Sequence, residues 1–263
     1  MGTTQRKQIS KRELLNKNQI LHMEKAGDLS RNSFRYYTRK STLQKIIDSK
    51  SLYISSFADM NDLEEAEMHE ENKNSVFALC FCNTGSEGIP MWYMYSGIFG
   101  DGACLKFTPS QMLQMIKNMK HVYEIDRYYH NTGRVLEIGK DIDIQYGWVF
   151  YRDEQNDIFY KNQWYRIKDD QEGFFKQNYF VKSYPWSYER EFRIVFIPRV
   201  GINPYKIALP IPGEILEQIN IIRGPETDES EIGEKCCLKI KMDLFSRNEN
   251  EILEHLKENK KII

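Results

Sequence analysis

The longest uninterrupted apolar run in the chain, Val76–Cys82, is seven residues long. That length suits a strand buried on both faces and falls far short of the roughly 20 residues a membrane-spanning helix needs. The other strand signals are equally short: Phe34–Tyr37, Leu52–Ser55, Gly102–Phe107, Tyr146–Tyr151, Phe192–Ile197, Lys206–Leu209, Ile219–Ile222 and Cys237–Met242. Helical spacing appears between them. Ser41–Thr42 offers a cap to a helix with Leu43, Ile46 and Ile47 at i, i+3 and i+4. Pro90 sits near the start of a short helix carrying Trp92, Tyr93 and Tyr95, with Gly97 to stop it. Pro109–Ser110 opens an amphipathic helix through Met112, Met115, Ile116 and Met119, and Glu249–Lys260 reads as a terminal helix. Asp59–Asn74 reads as a surface loop or helix, and the aromatic, charged stretch Phe159–Val181 as a helix broken at Gly173. The whole predicts an α+β chain. A single domain spans 33–263, with a mixed central sheet of roughly six to nine strands and flanking helices. A helical arm precedes it over residues 1–32, without a Pro/Gly linker or an internal repeat.

Composition narrows the function classes. Thirty-seven Lys and Arg against 38 Asp and Glu leave a net charge of −1, which excludes a globally basic nucleic-acid binder. Aromatic residues at 13%, 16 of them Tyr and 4 Trp, exclude a disordered chain. Five cysteines (80, 82, 104, 236 and 237) show no metal-ligand spacing, and the five histidines suggest neither ligands nor a triad. Cys80 and Cys82 share a face if they lie on a strand. Residues 1–10 lack the apolar core of a signal peptide, so the expected setting is a reducing cytoplasm with no membrane contact. No phosphate-binding loop, dinucleotide glycine fingerprint or nucleophile elbow is present.

The most informative stretch is Trp186–Arg193. Read as a strand, it places Glu189, Glu191 and Arg193 on one face and Arg190 and Phe192 on the other. Two readings are open: an exposed face with cross-strand ion pairs, or charges at the mouth of the buried strand Ile194–Ile197 that serve a site. Arg35, on the aromatic Phe34–Tyr37 strand, either holds an anion with its planar fork or snorkels from the core edge. Trp92 and Tyr95, three apart on one helical face, either pack in the core or meet a ligand. Asn61–Asp62 reads as a turn. The basic residues Arg127, Arg134, Arg152, Lys161, Arg166 and Lys168 form either a solvated surface or an RNA-holding patch.

In order, Arg35-Tyr36-Tyr37, Leu43 with Ile46 and Ile47, Leu52–Ser55, Asn61-Asp62-Leu63-Glu64, Cys80-Phe81-Cys82, Met91–Tyr95 and Trp186–Arg193 resemble the bacterial domain of unknown function 2971 family. The resemblance covers roughly residues 34–245; its Met-Trp-x-x-Tyr and Trp-x-x-Glu-x-Glu-x-Arg motifs are fairly specific as a pair. More distantly, the order of these residues is similar to the ADP-ribosyltransferase fold. That resemblance implies a metal-independent enzyme that uses NAD as substrate. It would modify a macromolecular acceptor, RNA or protein, as a toxin or anti-phage effector with or without an antitoxin. It implies Glu191 as the catalytic carboxylate and Glu189 as the residue handling the acceptor. Arg35 would lie on the NAD phosphates or ribose and Tyr93 or Tyr95 on the nicotinamide, with Tyr37, Trp92 and Arg193 completing the cofactor-binding set. The chain departs from the pattern at Cys82, where a polar serine is expected. The alternatives are a metal-independent nuclease using the same Glu/Arg row, or a non-catalytic module that senses a ligand or phage protein.

Overall fold

The computed structural model describes residues 7–10, 13, 33–95, 102–125, 132–155, 157–160, 162–167, 179–225 and 233–235. Alternating apolar segments form its strands, in chain order β1 (Lys7–Ile9), β2 (Ser33–Arg39), β3 (Ser51–Ser56), β4 (Phe77–Thr84), β5 (Gly102–Phe107), β6 (His121–Ile125), β7 (Thr132–Glu137) and β8 (Ile142–Trp148). They continue as β9 (Phe150–Arg152), β10 (Ile158–Tyr160), β11 (Gln163–Ile167), β12 (Val181–Ser183), β13 (Glu191–Pro198), β14 (Lys206–Pro210), β15 (Asn220–Arg223) and β16 (Glu234–Lys235). The helices are α1 (Lys40–Ser49), α2 (Leu63–Met68), α3 (Ile89–Tyr95), α4 (Pro109–Asn118) and α5 (Gly213–Gln218).

Two sheets result. The larger, of 11 strands, runs β16-β15-β5-β2-β4-β3-β14-β6-β7, with β13 pairing to β4 and β8 to β13. Its pairs are antiparallel except β15 with β16. The smaller sheet runs β1-β11-β10-β9-β12. One face of the large sheet carries Phe34, Leu79, Phe81, Leu105, Phe192 and Ile194, all buried. Helices α1, through Leu43 and Ile46, and α4, through Met112, Met115 and Ile116, belong to the same core. Each such side chain contributes about 1.5–3 kcal/mol of burial. A second apolar cluster, with Phe57, Ala78, Val195, Phe150, Ile158 and Val181, lies between the two sheets.

The fork of the large sheet positions the site. Strand β4 carries β13 along one edge, from Cys82 to Phe77. Its other edge is shared: β2 takes Cys82–Thr84 and β3 takes Phe77 and Ala78. Between those two short ladders β2 and β3 diverge.

The mixed α+β architecture is as expected, and the differences are local. The described residues of Phe159–Val181 hold no helix: they belong to strands β10 and β11, the start of β12 and the turns beside them. Asn162 turns β10 into β11 with φ at +63°, the left-handed conformation that Asn tolerates better than most residues. Tyr146–Tyr151 is two strands, divided at Val149, where the chain leaves the large sheet for the small one. Residues 7–9, expected within a helical arm, form a strand parallel to β11. Parallel pairing satisfies their backbone groups, and three residues carry no readable period. Arg39, not Ser41, caps α1, without a side-chain hydrogen bond. Gly97, Gly173, the Cys237–Met242 strand and the Glu249–Lys260 helix lie outside the described residues. Among the described residues no helix is long and apolar enough to cross a membrane.

Candidate functional site

Antiparallel register assembles the site. Arg35 on β2 stands opposite Cys82 on β4, and Cys82 opposite Glu191 on β13. Directly opposed residues present their side chains on one face, so Arg35, Cys82 and Glu191 form a row across three strands. Two interstrand spacings put the Cα atoms of Arg35 and Glu191 about 10 Å apart. The next row on that face pairs Cys80 with Arg193.

Glu191 is held by the junction of the two sheets. Its N–H donates to the Tyr151 hydroxyl at 2.8 Å, and its carbonyl accepts from the Val149 N–H at 2.9 Å. Glu189 arrives differently from the strand alternation expected. Tyr184–Glu189 is a 3-10 turn, Arg190 follows with φ at +44°, and β13 starts only at Glu191. The left-handed Arg190 returns both carboxylates to the same site while its own side chain is exposed.

A buried ionic cluster surrounds them. Arg193, with no exposed surface, donates from Nε to Glu191 Oε1 at 2.6 Å and from Nη2 to Glu191 Oε2 at 3.1 Å. Its other edge binds Glu65, from Nη1 to Oε1 and from Nη2 to Oε2 at 3.4 Å, and Nη1 also donates to the Tyr179 carbonyl at 2.6 Å. Lys182 donates to Glu189 Oε2 at 2.7 Å, lies 3.7 Å from Glu191 Oε2, and stands 4.5 Å from the Trp186 ring centre. The Tyr95 hydroxyl donates to Glu189 Oε1 at 2.5 Å.

Three carboxylates thus face two cations, all buried. Burial works against ionisation of Glu191, but the Arg193 and Lys182 charges outweigh it and hold its carboxyl down at about 2. At Glu189 burial wins over the Lys182 attraction, helped by the Glu191 charge, and the carboxyl is pushed up. Glu65 is likewise raised by burial against the pull of Arg193. Burial also raises the Cys80 thiol, with Glu191 beside it, so it is a poor nucleophile. The cluster offers two carboxylates with different properties: a fixed anion at 191 and a readily protonated group at 189.

Residues missed by sequence reasoning complete this arrangement. Glu65 looked like part of a solvated acidic stretch, yet it is wholly buried. Asp62 explains why. One oxygen caps α2 by accepting from the Glu64 and Glu65 N–H groups at 3.1 and 3.4 Å, and the other accepts from the Ser183 N–H at 3.2 Å. This ties α2 to β12 and brings Glu65 and Lys182 to one place. The signal was the Asn61-Asp62-Leu63-Glu64 cap itself, read only as a turn.

A cleft of about 510 Å³ runs through the fork, lined by Arg35, Tyr37, Tyr95, Lys182, Glu189 and Glu191 among others. That volume suits a small-molecule ligand. The Arg35 Nη1 is tethered to Thr84, through its carbonyl and through Oγ1 at 3.1 Å. Its Nε is buried without a hydrogen-bond partner, and Arg35 makes no ion pair among the described residues. The remaining expected residues lie elsewhere. Trp92 has no exposed surface and packs edge-on to Tyr37 at 4.9 Å, its Nε1 donating to Glu87 at 3.1 Å. Tyr93 is half-buried outside the cleft. Arg193 does not line the cleft but binds Glu191, which does. Of the basic patch, Arg134, Arg152 and Arg166 pair with Asp141, Glu64 and Asp157; the other three residues lie outside the described ones. Among the described residues no group of three His, Cys, Asp or Glu side chains is placed to hold a metal.

Residues 91–194 match a family described as protein of unknown function (DUF2971), the family that the motifs resemble. The match takes in Tyr95, Lys182, Glu189, Glu191 and Arg193, and leaves Arg35 and Glu65 outside it. No curated protein and no solved structure matches the chain.

Proposed function

We propose that the chain is an ADP-ribosyltransferase-like enzyme. It breaks the nicotinamide–ribose bond of NAD in the fork cleft and passes ADP-ribose to a macromolecular acceptor, as a cytoplasmic toxin or anti-phage effector. One observation carries the reading: Arg35, which no carboxylate pairs among the described residues, and Glu191, a fixed anion, share one cross-strand row in one cleft with Tyr95. Arg35 is suited to the pyrophosphate, because it brings a guanidinium charge to the cleft and phosphate oxygens accept charge-assisted hydrogen bonds from such a group. As the C–N bond breaks, its electron pair leaves with nicotinamide and positive charge develops on the ribose. A carboxylate that stays ionised stabilises that charge more than the ground state. The attacking acceptor then loses its proton to Glu189, whose raised proton affinity suits a general base.

The test is nicotinamide release and acceptor labelling from NAD by the full chain, and by Glu191→Gln. Loss of both in the variant, with its unfolding transition unchanged, is the expected result. Full activity in Glu191→Gln, or no NAD binding by calorimetry, overturns the reading. A second reading is favoured by the fact that each oxygen of Glu189 and Glu191 already accepts a hydrogen bond from the protein. On that reading the cleft is a sensor that binds a nucleotide and leaves it intact. NAD binding without nicotinamide release would select it.

A further inference from the structure

Lys182 is buried and comes to the site from the small sheet, whereas the two carboxylates it meets lie at the start of β13 and just before it. Its strand is held on two sides. Lys182 pairs with Tyr151 on β9, whose hydroxyl accepts from the Glu191 N–H. The next residue, Ser183, donates its N–H to Asp62 and its Oγ–H to Glu64 at 2.7 Å. The ammonium so fixed reaches Glu189 Oε2 at 2.7 Å and stands 3.7 Å from Glu191 Oε2, with the Trp186 ring centre at 4.5 Å. Arg193 directs its hydrogen bonds to Glu191, Glu65 and the Tyr179 carbonyl. Among the described residues Lys182 is therefore the one cation paired with Glu189. The other groups that face the pair bring no positive charge. They are Tyr95 from α3, itself hydrogen-bonded to Asn61, Tyr188 from the turn before β13, Cys80 from β4 and Tyr151 from β9, with Glu65 as a third carboxylate from α2.

We propose that Lys182 is a positioning residue: its ammonium keeps Glu189 ionised and in place until a proton arrives, and then passes to Glu191. The passage to Glu191 rests on the reaction proposed above; the hold on Glu189 does not. A buried carboxylate beside a second one takes up a proton unless a cation stands against it, and once protonated it is no longer a base. Burial works against the ammonium too, but Glu191, Glu189 and Glu65 outweigh it and Lys182 stays charged. A carboxylate has about four lone-pair sites, so the single bonds from Tyr95 and Lys182 leave each Glu189 oxygen able to accept another proton. In the reaction the C–N electron pair leaves with nicotinamide, the acceptor atom bonds to the ribose carbon and its proton passes to Glu189. Glu189 is then neutral, and the positive charge that faced Glu191 is gone. The ammonium, at 3.7 Å from Glu191 Oε2, needs to move only about 1 Å to bond it, and it keeps all its own protons. A flexible lysine stem permits that movement; a planar guanidinium does not.

The experiment follows ADP-ribosyl transfer from saturating NAD against pH for the full chain, Lys182→Met, Lys182→Arg and Lys182→Met/Glu189→Gln. Without the ammonium, burial and the Glu191 charge raise Glu189 further, so the acidic limb of Lys182→Met should move to higher pH. Its rate should lie roughly tenfold or more below the native rate at about pH 7, and that gap should narrow roughly tenfold or more by about pH 9. The limb should vanish in the double variant. Lys182→Arg should keep the native limb and lose plateau rate. Urea unfolding of the same proteins reads the hold on Glu189 without any reaction. A carboxyl raised on folding loses stability as pH rises, so the midpoint of Lys182→Met should fall further below the native one at about pH 8 than at about pH 5. Adding Glu189→Gln should recover about half or more of that loss, since it removes the charge left unpaired. If Lys182→Met alone does not fold, folding restored by Glu189→Gln supports the pairing, and no restoration overturns it. A limb at the native pH, a rate gap constant across pH, or a midpoint loss indifferent to pH and to Glu189→Gln overturns the inference while leaving the reaction intact. A full plateau in Lys182→Arg overturns the passage to Glu191. No NAD turnover by the native chain at any pH, with the urea results as expected, removes the reaction and leaves the hold on Glu189 standing.

Discussion

Replacing Arg193 with Met keeps much of the side-chain length and removes the charge that two buried carboxylates share. Glu191 and Glu65 each lose a two-pronged partner; Glu65 has no exposed surface through which to recover water and Glu191 only its edge on the cleft. Breaking a buried ion pair from one side typically costs about 3–5 kcal/mol, a large share of the ~5–15 kcal/mol that holds a domain together. The pH dependence gives a sharper reading than the size. In the native chain the Glu191 carboxyl sits at about 2 instead of 4.5. This contributes about 3 kcal/mol, fully present above its unfolded value and lost as pH falls toward 2. Without Arg193, burial acts on Glu191 with less opposition and its carboxyl rises; Glu65, already raised, rises further. Carboxyls raised on folding lend stability at low pH and lose it as pH increases. The stability gap between native protein and Arg193→Met should therefore be widest near neutrality and shrink on acidification. Urea unfolding followed by tryptophan fluorescence at about pH 7, 5 and 3.5 measures it. Arg193→Lys, which keeps a charge but not the fork, should fall between. A gap under about 1 kcal/mol at neutrality, or one constant across that range, would refute the cluster as a coupled unit.

Two further outcomes follow from placement. Trp92→Ala empties a wholly buried site and should cost about 3–5 kcal/mol in the same unfolding experiment, with NAD affinity of the folded protein changed only a few-fold. Lost affinity with unchanged stability would put the indole in the cleft instead. Because burial raises Glu189, the rate of ADP-ribosyl transfer should fall on acidification at a pH above the ordinary carboxylate range. That limb should flatten in Glu189→Gln, and an identical pH profile in the variant would assign the proton elsewhere.

What the sequence showed and what it hid follow from one distinction. Side-chain period is local, so the pairs Arg35/Tyr37, Cys80/Cys82 and Glu191/Arg193 were each readable as sharing a face. Register is not local. Nothing near residue 35 or 191 states that both lie opposite Cys82, so their meeting in one row needed the fold. Glu65 was hidden for a related reason: among the acidic residues of 59–74 only the distant Arg193 distinguishes it from a solvated neighbour. Lys182 is an isolated basic residue whose two glutamates lie across a tight turn. The helical reading failed over the described residues 159–167 because closely spaced aromatic residues blur the period, and the single Asn162 was the only sign of a turn there.

The row Arg35–Cys82–Glu191 draws on three strands widely separated along the chain, and this limits how the gene can change. Inserting or deleting one codon within β2, β4 or β13 would flip that strand's member of the row into the apolar core face and send an apolar side chain out in exchange. Such length changes should be purged from these three strands while substitutions within them accumulate. Loops between strands escape that rule. Relatives of this protein should therefore differ most in the spacing between motifs and least in the spacing inside them, so a search that allows free gaps only between the three strands should recover distant members.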